Sequence, residues 1–445
     1  MSIGPRDPQV CDVLIEAGWV VPVVPRGVVL ADHAVAVRDG AVIGIHPIAE
    51  ARELYLPAEH VKRPDAALIP GLINGHTHNP MTLMRGVADD LPLMTWLNDH
   101  IWPIEGRIIG TDMVADGVTL AIAEMLRGGT TTCNENYFFP DVQAQVYKRH
   151  GFRAVVGLPV IDFPTAWAKD DDEYFDKARQ VHDQWLGDPL IGTAFAPHAP
   201  YTVKDSSFER MAMLAEQLDI PVHCHVHETQ GEVDDAMSAT GLRPLARLDR
   251  LGVVSERLIA VHMTAVDDAD IALCADKGVS VVHCPESNLK LASGFCPVAR
   301  LQEAGINIAI GTDGAASNND LDMFGEMRTA ALLAKAVAGD ATALQAGDAL
   351  YAATMGGALA MGLAERVGSI ECGKRADLVC VDLGALETQP IYHVLSQLVY
   401  STGRQHVTDV WIDGVAKLRS RVLVDMDLDA IVANARSWGA RISNA

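Results

Sequence analysis

Eight apolar, β-rich runs separated by helix-length segments constrain this chain more than any other feature. They fall at 68–76, 130–135, 154–160, 190–198, 221–227, 258–263, 279–284 and 307–313, and each is followed by enough chain for a helix, as at 206–217 and 321–338. Near-continuous apolar strands are those buried on both faces, and parallel strands need crossover helices between them. Eight such units is the count that closes a (β/α)8 TIM barrel, an α/β fold. A chain of 445 residues has room for that barrel and a smaller companion.

The companion is expected from the two termini. Cys11-Asp-Val-Leu-Ile-Glu and Ala34-Val-Ala-Val-Arg-Asp-Gly-Ala-Val-Ile-Gly-Ile read as strands, the second folded at Asp39-Gly40 into a hairpin. The same pattern returns in Ala376-Asp-Leu-Val-Cys-Val-Asp and in Val407-Thr-Asp-Val-Trp-Ile-Asp-Gly-Val-Ala-Lys. Neither terminal segment buries a sheet alone, so the two should combine into one small β-sandwich. The expected organisation is 1–66 as the N-terminal part of that sandwich, 67–370 as the barrel and 371–445 as the C-terminal part, with a helical stretch at 341–361 packed outside the barrel.

Chemistry gathers where the strands end. The first run finishes in His76-Thr-His78, the fourth in His198, the fifth in His223-Cys-His225-Val-His227-Glu228, the sixth in His262, the seventh in His283 and the eighth in Asp313. Apolar strands that stop repeatedly at His, Glu or Asp are hard to explain by packing, and in a barrel those ends converge on one face. On a strand, residues two apart share a side, so His76 and His78 form a ligand pair. Neutral imidazoles with a carboxylate suit Zn²⁺ with one position open to water. Such an ion lowers the pKa of its water from 15.7 towards about 7. Parity alone puts His223, His225 and His227 on one side and does not choose among them.

Composition excludes other classes. The formal charge of −23, with no Lys/Arg run to offset it, argues against a nucleic-acid or anionic-membrane partner. No run approaches the roughly 18 apolar residues of a membrane span, and Met1-Ser-Ile-Gly-Pro-Arg-Asp-Pro8 lacks the apolar centre of a signal peptide. A cytoplasmic enzyme is expected. The eight cysteines show no Cys-x-x-Cys spacing and read as small buried hydrophobes.

At Pro70-Gly-Leu-Ile-Asn-Gly-His-Thr-His78, His225-x-x-Glu228, Val261-His262, Ser287-Asn288-Leu-Lys-Leu, Gly311-Thr-Asp-Gly-Ala-Ala-Ser-Asn-Asn-Asp320 and Gly373-Lys-Arg-Ala-Asp-Leu378 the sequence resembles the amidohydrolase superfamily. Within it, the likeness is to the 5′-methylthioadenosine/S-adenosylhomocysteine deaminase group, and it runs essentially the length of the chain. The resemblance implies His76, His78, His225 and Asp313 as ligands of one Zn²⁺ per subunit, or of another divalent metal such as Fe²⁺. It makes Asp313 also the base that deprotonates water, Glu228 the acid that protonates a purine ring nitrogen, and His262 a hydrogen-bonding partner of the tetrahedral centre. It also places 81–105 over the pocket mouth, with Trp96 against the ligand and Glu105 accepting from a ribose diol. Ser287 and Asn288 are close enough to the seventh strand's end to reach substrate, and His198 and His283 are read as further contacts to it. His223 is expected as a hydrogen-bonded interior histidine and His227 as wall or loop.

The implied reaction is hydrolytic deamination of a small nucleoside, 5′-methylthioadenosine first, with S-adenosylhomocysteine or adenosine as further substrates, by a homo-oligomer. The alternative is the same machinery acting on guanine, cytosine or a triazine. A barrel that has lost catalysis would have lost ligands, and here all are present. An amino-acid tail on the substrate would want an Arg fork, for which Arg85 and Arg153 are candidates.

Overall fold

The computed structural model describes residues 7–443; the first six residues of the N-terminal octapeptide discussed above lie outside them. Two eight-stranded sheets organise the chain. The first uses both termini: β1 (Gln9–Val20), β2 (Leu30–Arg38), β3 (Ala41–Pro47) and β4 (Tyr55–Pro70) from one end. The second is the barrel: β5 (Leu72–Thr77), β6 (Thr130–Glu135), β7 (Arg153–Val160), β8 (Ile191–Pro197), β9 (Val222–Val226), β10 (Leu258–His262), β11 (Ser280–His283) and β12 (Asn307–Ile310). The chain then returns to the first sheet with β13 (Leu378–Asp382), β14 (Val407–Ile412), β15 (Val415–Arg419) and β16 (Val422–Leu423).

All eight barrel strands run parallel in sequence order. The ring is drawn together just past β12, where the Asp313 N–H donates to the His76 carbonyl (3.0 Å) and Asn74 and Thr312 exchange bonds of 2.7 and 2.9 Å. Alternation along each strand sorts the side chains. Ile73, Val155, Ile259, Val261 and Val282 fill the interior, while Cys224, Val226, Ala260 and Val281 join the large core under the helices. In β9 this parity leaves His223 and His225 facing inward.

The terminal sheet runs in the order β16-β15-β14-β13-β4-β1-β2-β3. It doubles over so that its two Asp-Gly turns meet: the Ala376 N–H donates to the Gly40 carbonyl and the Gly414 N–H to the Ala376 carbonyl, both 2.9 Å. Val13, Ile15, Val35, Val37, Leu378 and Trp411 are enclosed between the halves. The strand expected at 68–76 is in fact two, since Leu68–Pro70 ends β4 and the barrel begins at Leu72. Gly71 makes the transfer, at a point where a Cβ would lie 2.0 Å from Thr131 Oγ1. The stretch at 341–361 is likewise broken, into Ala346–Tyr351, a widened turn at Ala352–Gly356, and Gly357–Ala360. No helix among the described residues is long and apolar enough to cross a membrane.

Candidate active site

The strand ends deliver four groups to one point. His225 Nε2 lies 3.1 Å from His76 Nε2 and 3.3 Å from His78 Nε2, and Asp313 Oδ1 is 3.3 Å from both His76 Nε2 and His78 Nε2. The opposite ring nitrogens settle the tautomers. Nδ1 of His225 donates to the His198 carbonyl (2.5 Å) and Nδ1 of His78 to the Asn136 carbonyl. A carbonyl only accepts, so in each neutral ring the hydrogen is on Nδ1 and Nε2 carries a lone pair. These Nε2 atoms, with that of His76, converge on the Asp313 carboxylate, an arrangement that calls for positive charge at its centre, from a metal ion or, without one, from a proton on His78. Zinc–ligand bonds of about 2.0–2.1 Å make a tetrahedron whose edges are about 3.3 Å, which is the spacing found. His76, His78 and His225 are thus fit to hold a metal ion, and a second grouping of His76, His262 and Asp313 has its donor atoms within 4.8 Å of one another.

Each of these groups is braced from behind, as metal ligands are. His223 Nε2 meets His76 Nδ1 at 2.9 Å, which is the interior hydrogen bond expected of it. Ser287 and Ser317 donate to Asp313 Oδ2 at 2.6 and 2.9 Å, and the Gly314 N–H donates to Oδ1 at 2.7 Å. Asn288 Oδ1 accepts from His262 Nδ1 at 2.8 Å. Ser287 Oγ and Asn288 Oδ1 are engaged by Asp313 and His262, Asn288 Nδ2 is buried without a partner, and neither residue lines the cavity. His283 is also absent from the wall, being buried with both ring nitrogens unpartnered. His227 turns away from the cavity, its Nε2 accepting from the Leu245 N–H (3.1 Å) at the start of the helix Pro244–Arg250.

Burial and charge compete at this point. Burial pushes His76 down to about 3 against the pull of Asp313. In His78 burial acts the same way, but the hydrogen bond and charge of Asp313, with Glu135 beyond, outweigh it and hold the ring at about 9. Burial alone would raise Asp313, yet its two imidazole partners keep it well below the carboxylate range. Glu228, 3.8 Å from His262 Nε2, is raised by burial, with His262 opposing. The backbone is held in the left-handed region at His262 (φ 75°) and Asp313 (φ 65°). Such conformations cost of order 1–3 kcal/mol for non-glycine residues and persist where the surroundings impose them.

Over these groups stands a cavity of about 480 Å³, lined at its base by His78, His225, Glu228, His262 and Asp313. His198 is on its wall, with Nδ1 against Thr202 Oγ1 at 3.1 Å. Trp96 and Glu105 line the other side. Glu105, on the helix Trp102–Ile108, accepts from the Tyr137 hydroxyl at 2.5 Å; burial lifts it to about 7 while that bond opposes the rise. The candidate arginines are elsewhere. Arg85 is paired with Glu124, and Arg153 at the start of β7 is buried against Asp377 and Asp413.

Three features escaped the sequence reading. Tyr137 and the crossing segment with Ile161, Phe163 and Thr165 lie in loops, which carry no periodic signal. Glu135 ends β6 as the other acids and histidines end their strands, so the same rule points to it. It is fully buried, accepts from Thr77 Oγ1 (2.8 Å) and the Asn79 N–H (2.9 Å), and is raised by burial to about 7.

Comparison with known proteins agrees with this geometry. The chain is 46% identical over 431 residues, 97% of each protein, to a 5-methylthioadenosine/S-adenosylhomocysteine deaminase of Saccharophagus degradans. It is 68% identical to an adenosine deaminase of Xanthomonas campestris whose crystal structure contains zinc, with a TM-score of 0.98 over 98% of this chain and all of that one. An atrazine chlorohydrolase of Arthrobacter aurescens shares the fold at 22% identity, with a TM-score of 0.89 over 96% of this chain and 99% of its own. The sequence pattern of the amidohydrolase family matches residues 67–417, and with these relatives it establishes that the chain belongs to the amidohydrolase family.

Proposed function

We propose that this protein is a zinc-dependent aminohydrolase that deaminates the adenine ring of a nucleoside of the 5′-methylthioadenosine, S-adenosylhomocysteine and adenosine group, giving the inosine analogue and ammonia. The observation that carries the reading is the convergence of imidazole lone pairs and Asp313 on one point beneath a cavity that Glu228 and His262 also face. Zinc, held by His76, His78, His225 and Asp313, would supply a Lewis acid that acidifies a water it binds.

The chain's own groups carry the protons. Asp313, an anion fixed by two serine hydroxyls and a backbone N–H, takes one proton from the attacking water, whose oxygen forms the bond to ring carbon C6. Glu228, whose pKa is raised by burial, gives its proton to ring nitrogen N1, so charge does not build up on the ring. His262, with Nδ1 fixed by Asn288, presents Nε2 to the new hydroxyl. When the C6–N6 bond breaks, the amino group leaves as ammonia with the proton held on Asp313, and the hydroxyl proton returns to Glu228 as the carbonyl forms. Glu105 faces the cavity as acceptor for two vicinal hydroxyls, a task that a free base does not require. The proposal includes assembly as a homo-oligomer in the cytoplasm, which light scattering and fractionation would test.

The deciding experiment is steady-state deamination of adenine nucleosides, guanine, cytosine and a triazine side by side, on zinc-loaded protein and on Glu105→Gln. Nucleosides should be turned over, and the substitution should raise their KM far more than that of any base. Turnover of a free base alone would overturn the reading.

A further inference from the structure

Beyond Glu105 the cavity turns apolar. Its wall there is built from Leu93, Trp102, Ile109, Phe138, Ile161 and Phe163, and among the described residues lining the cavity there is no lysine or arginine. Three carboxylates, Glu105, Glu228 and Asp313, already face it. The nearby cations are engaged elsewhere: Arg85 holds Glu124 and the Asn319 carbonyl, and Lys290, next to Leu291 on the wall, reaches Asp89 at 2.5 Å. The polar atoms of the crossing segment are taken as well, Thr165 Oγ1 lying 2.7 Å from the Tyr174 hydroxyl.

From this we infer that the site selects adenine nucleosides with an uncharged 5′ group and discriminates against those carrying a carboxylate or phosphate there. The inference rests on the proposed function: with C6 over the histidine cluster and the ribose at Glu105, the 5′ substituent lies against the apolar wall. A methylthio group loses only water on entering such a surface. A carboxylate or phosphate is desolvated there without a lysine or arginine on the wall to pair with. Within the group of substrates proposed above, methylthioadenosine and adenosine are therefore the natural ones and S-adenosylhomocysteine is a poor one.

The test compares kcat/KM for 5′-methylthioadenosine, adenosine, S-adenosylhomocysteine and adenosine 5′-monophosphate on one preparation. The two uncharged nucleosides should exceed both charged ones by roughly 100-fold or more. A charged substrate within about threefold of methylthioadenosine would overturn the inference while leaving the proposed function intact. No turnover of any nucleoside would remove the proposed function and this inference with it. Phe163, at the half-open rim, offers a second measurement. Phe163→Arg should raise the ratio of S-adenosylhomocysteine to methylthioadenosine turnover by about tenfold, the gain of one new ion pair. An unchanged ratio in a variant of unaltered melting temperature would mean that charge is not what excludes the tail, and would also overturn the inference.

Discussion

The two ends of the barrel both bury charge, and they do so in opposite ways. At the start of β7 the Arg153 guanidinium meets Asp377 at 2.9 and 3.0 Å, Asp413 at 2.5 Å and the Pro189 carbonyl at 2.7 Å, so every charge has its counterpart within the protein. At the far end, imidazole Nε2 atoms face each other and a carboxylate at 3.1–3.3 Å. One cluster is complete as the chain folds, and the other is complete only with a cation that the chain does not contain. A closed network serves the fold, whereas an open one held in place by its neighbours serves chemistry.

The sharpest way to break this contrast is to remove one carboxylate from each end. Asp313→Ala should lower kcat/KM by roughly 10⁴-fold or more, since it removes both a proposed ligand and the proposed base. Metal analysis should show less zinc per chain. Asp377→Ala should do the reverse. It leaves Arg153 short of its bidentate partner in a buried site and should cost about 3–5 kcal/mol of stability by denaturant titration, with zinc content and kcat at 25 °C close to the parent. If both substitutions hurt the same property, the distinction fails.

A smaller effect is expected behind the open network. Ser287 touches Asp313 and no cavity, so Ser287→Ala should reduce zinc affinity or kcat by about 10–100-fold, the range for partners of metal ligands, and leave KM nearly unchanged. A rise in KM with constant kcat would return Ser287 to the substrate, where the sequence reading had placed it.

The position of Ser287 shows what the sequence could and could not carry. Strand number and polarity were legible because burial on both faces writes a continuous apolar run, and strand-end chemistry was legible because His or Asp there breaks that run. Direction past the last strand residue was not. His262, Met263, His227 and Asp313 all have positive φ, so the strand alternation that places His225 cannot be carried beyond the strand end. The first part of β4 was missed because charged residues and two prolines interrupt 57–66 on a strand flanked by β1 and β13, and among these residues only Val61 and Ala66 are buried. The C-terminal helix Leu428–Ser443 was missed as well. Its buried residues are Trp438 and Ile442, and Trp438 Nε1 donates to Asp116 at 2.8 Å, an anchor visible only in three dimensions.

The smallest effect tests whether position or completeness defines the two kinds of cluster. Asp270 belongs to the catalytic half of the barrel, yet it is enclosed like the Arg153 cluster: Arg243 donates to it at 2.5 and 2.9 Å, the Asp267 N–H at 3.0 Å, and His227 Nδ1 lies 3.4 Å away. Burial alone would raise this carboxyl, but its hydrogen bonds to His227 and Arg243 bring it down to about 2 from an ordinary value of 3.8. A folded-state value below the unfolded one means that the stabilisation is fully present above the unfolded pKa and is lost as pH falls from about 3.8 through about 2. At neutral pH the difference corresponds to about 2 kcal/mol. Asp270→Asn should therefore be less stable than the parent by about that amount near pH 7, with the gap narrowing on acidification below about pH 5 as the parent's carboxyl begins to protonate. Zinc content should not change. A pH-independent gap, or a loss of zinc, would place Asp270 with the open network and make location the governing variable; the narrowing gap would show that a complete set of partners makes a buried charge structural even within the active half of the barrel.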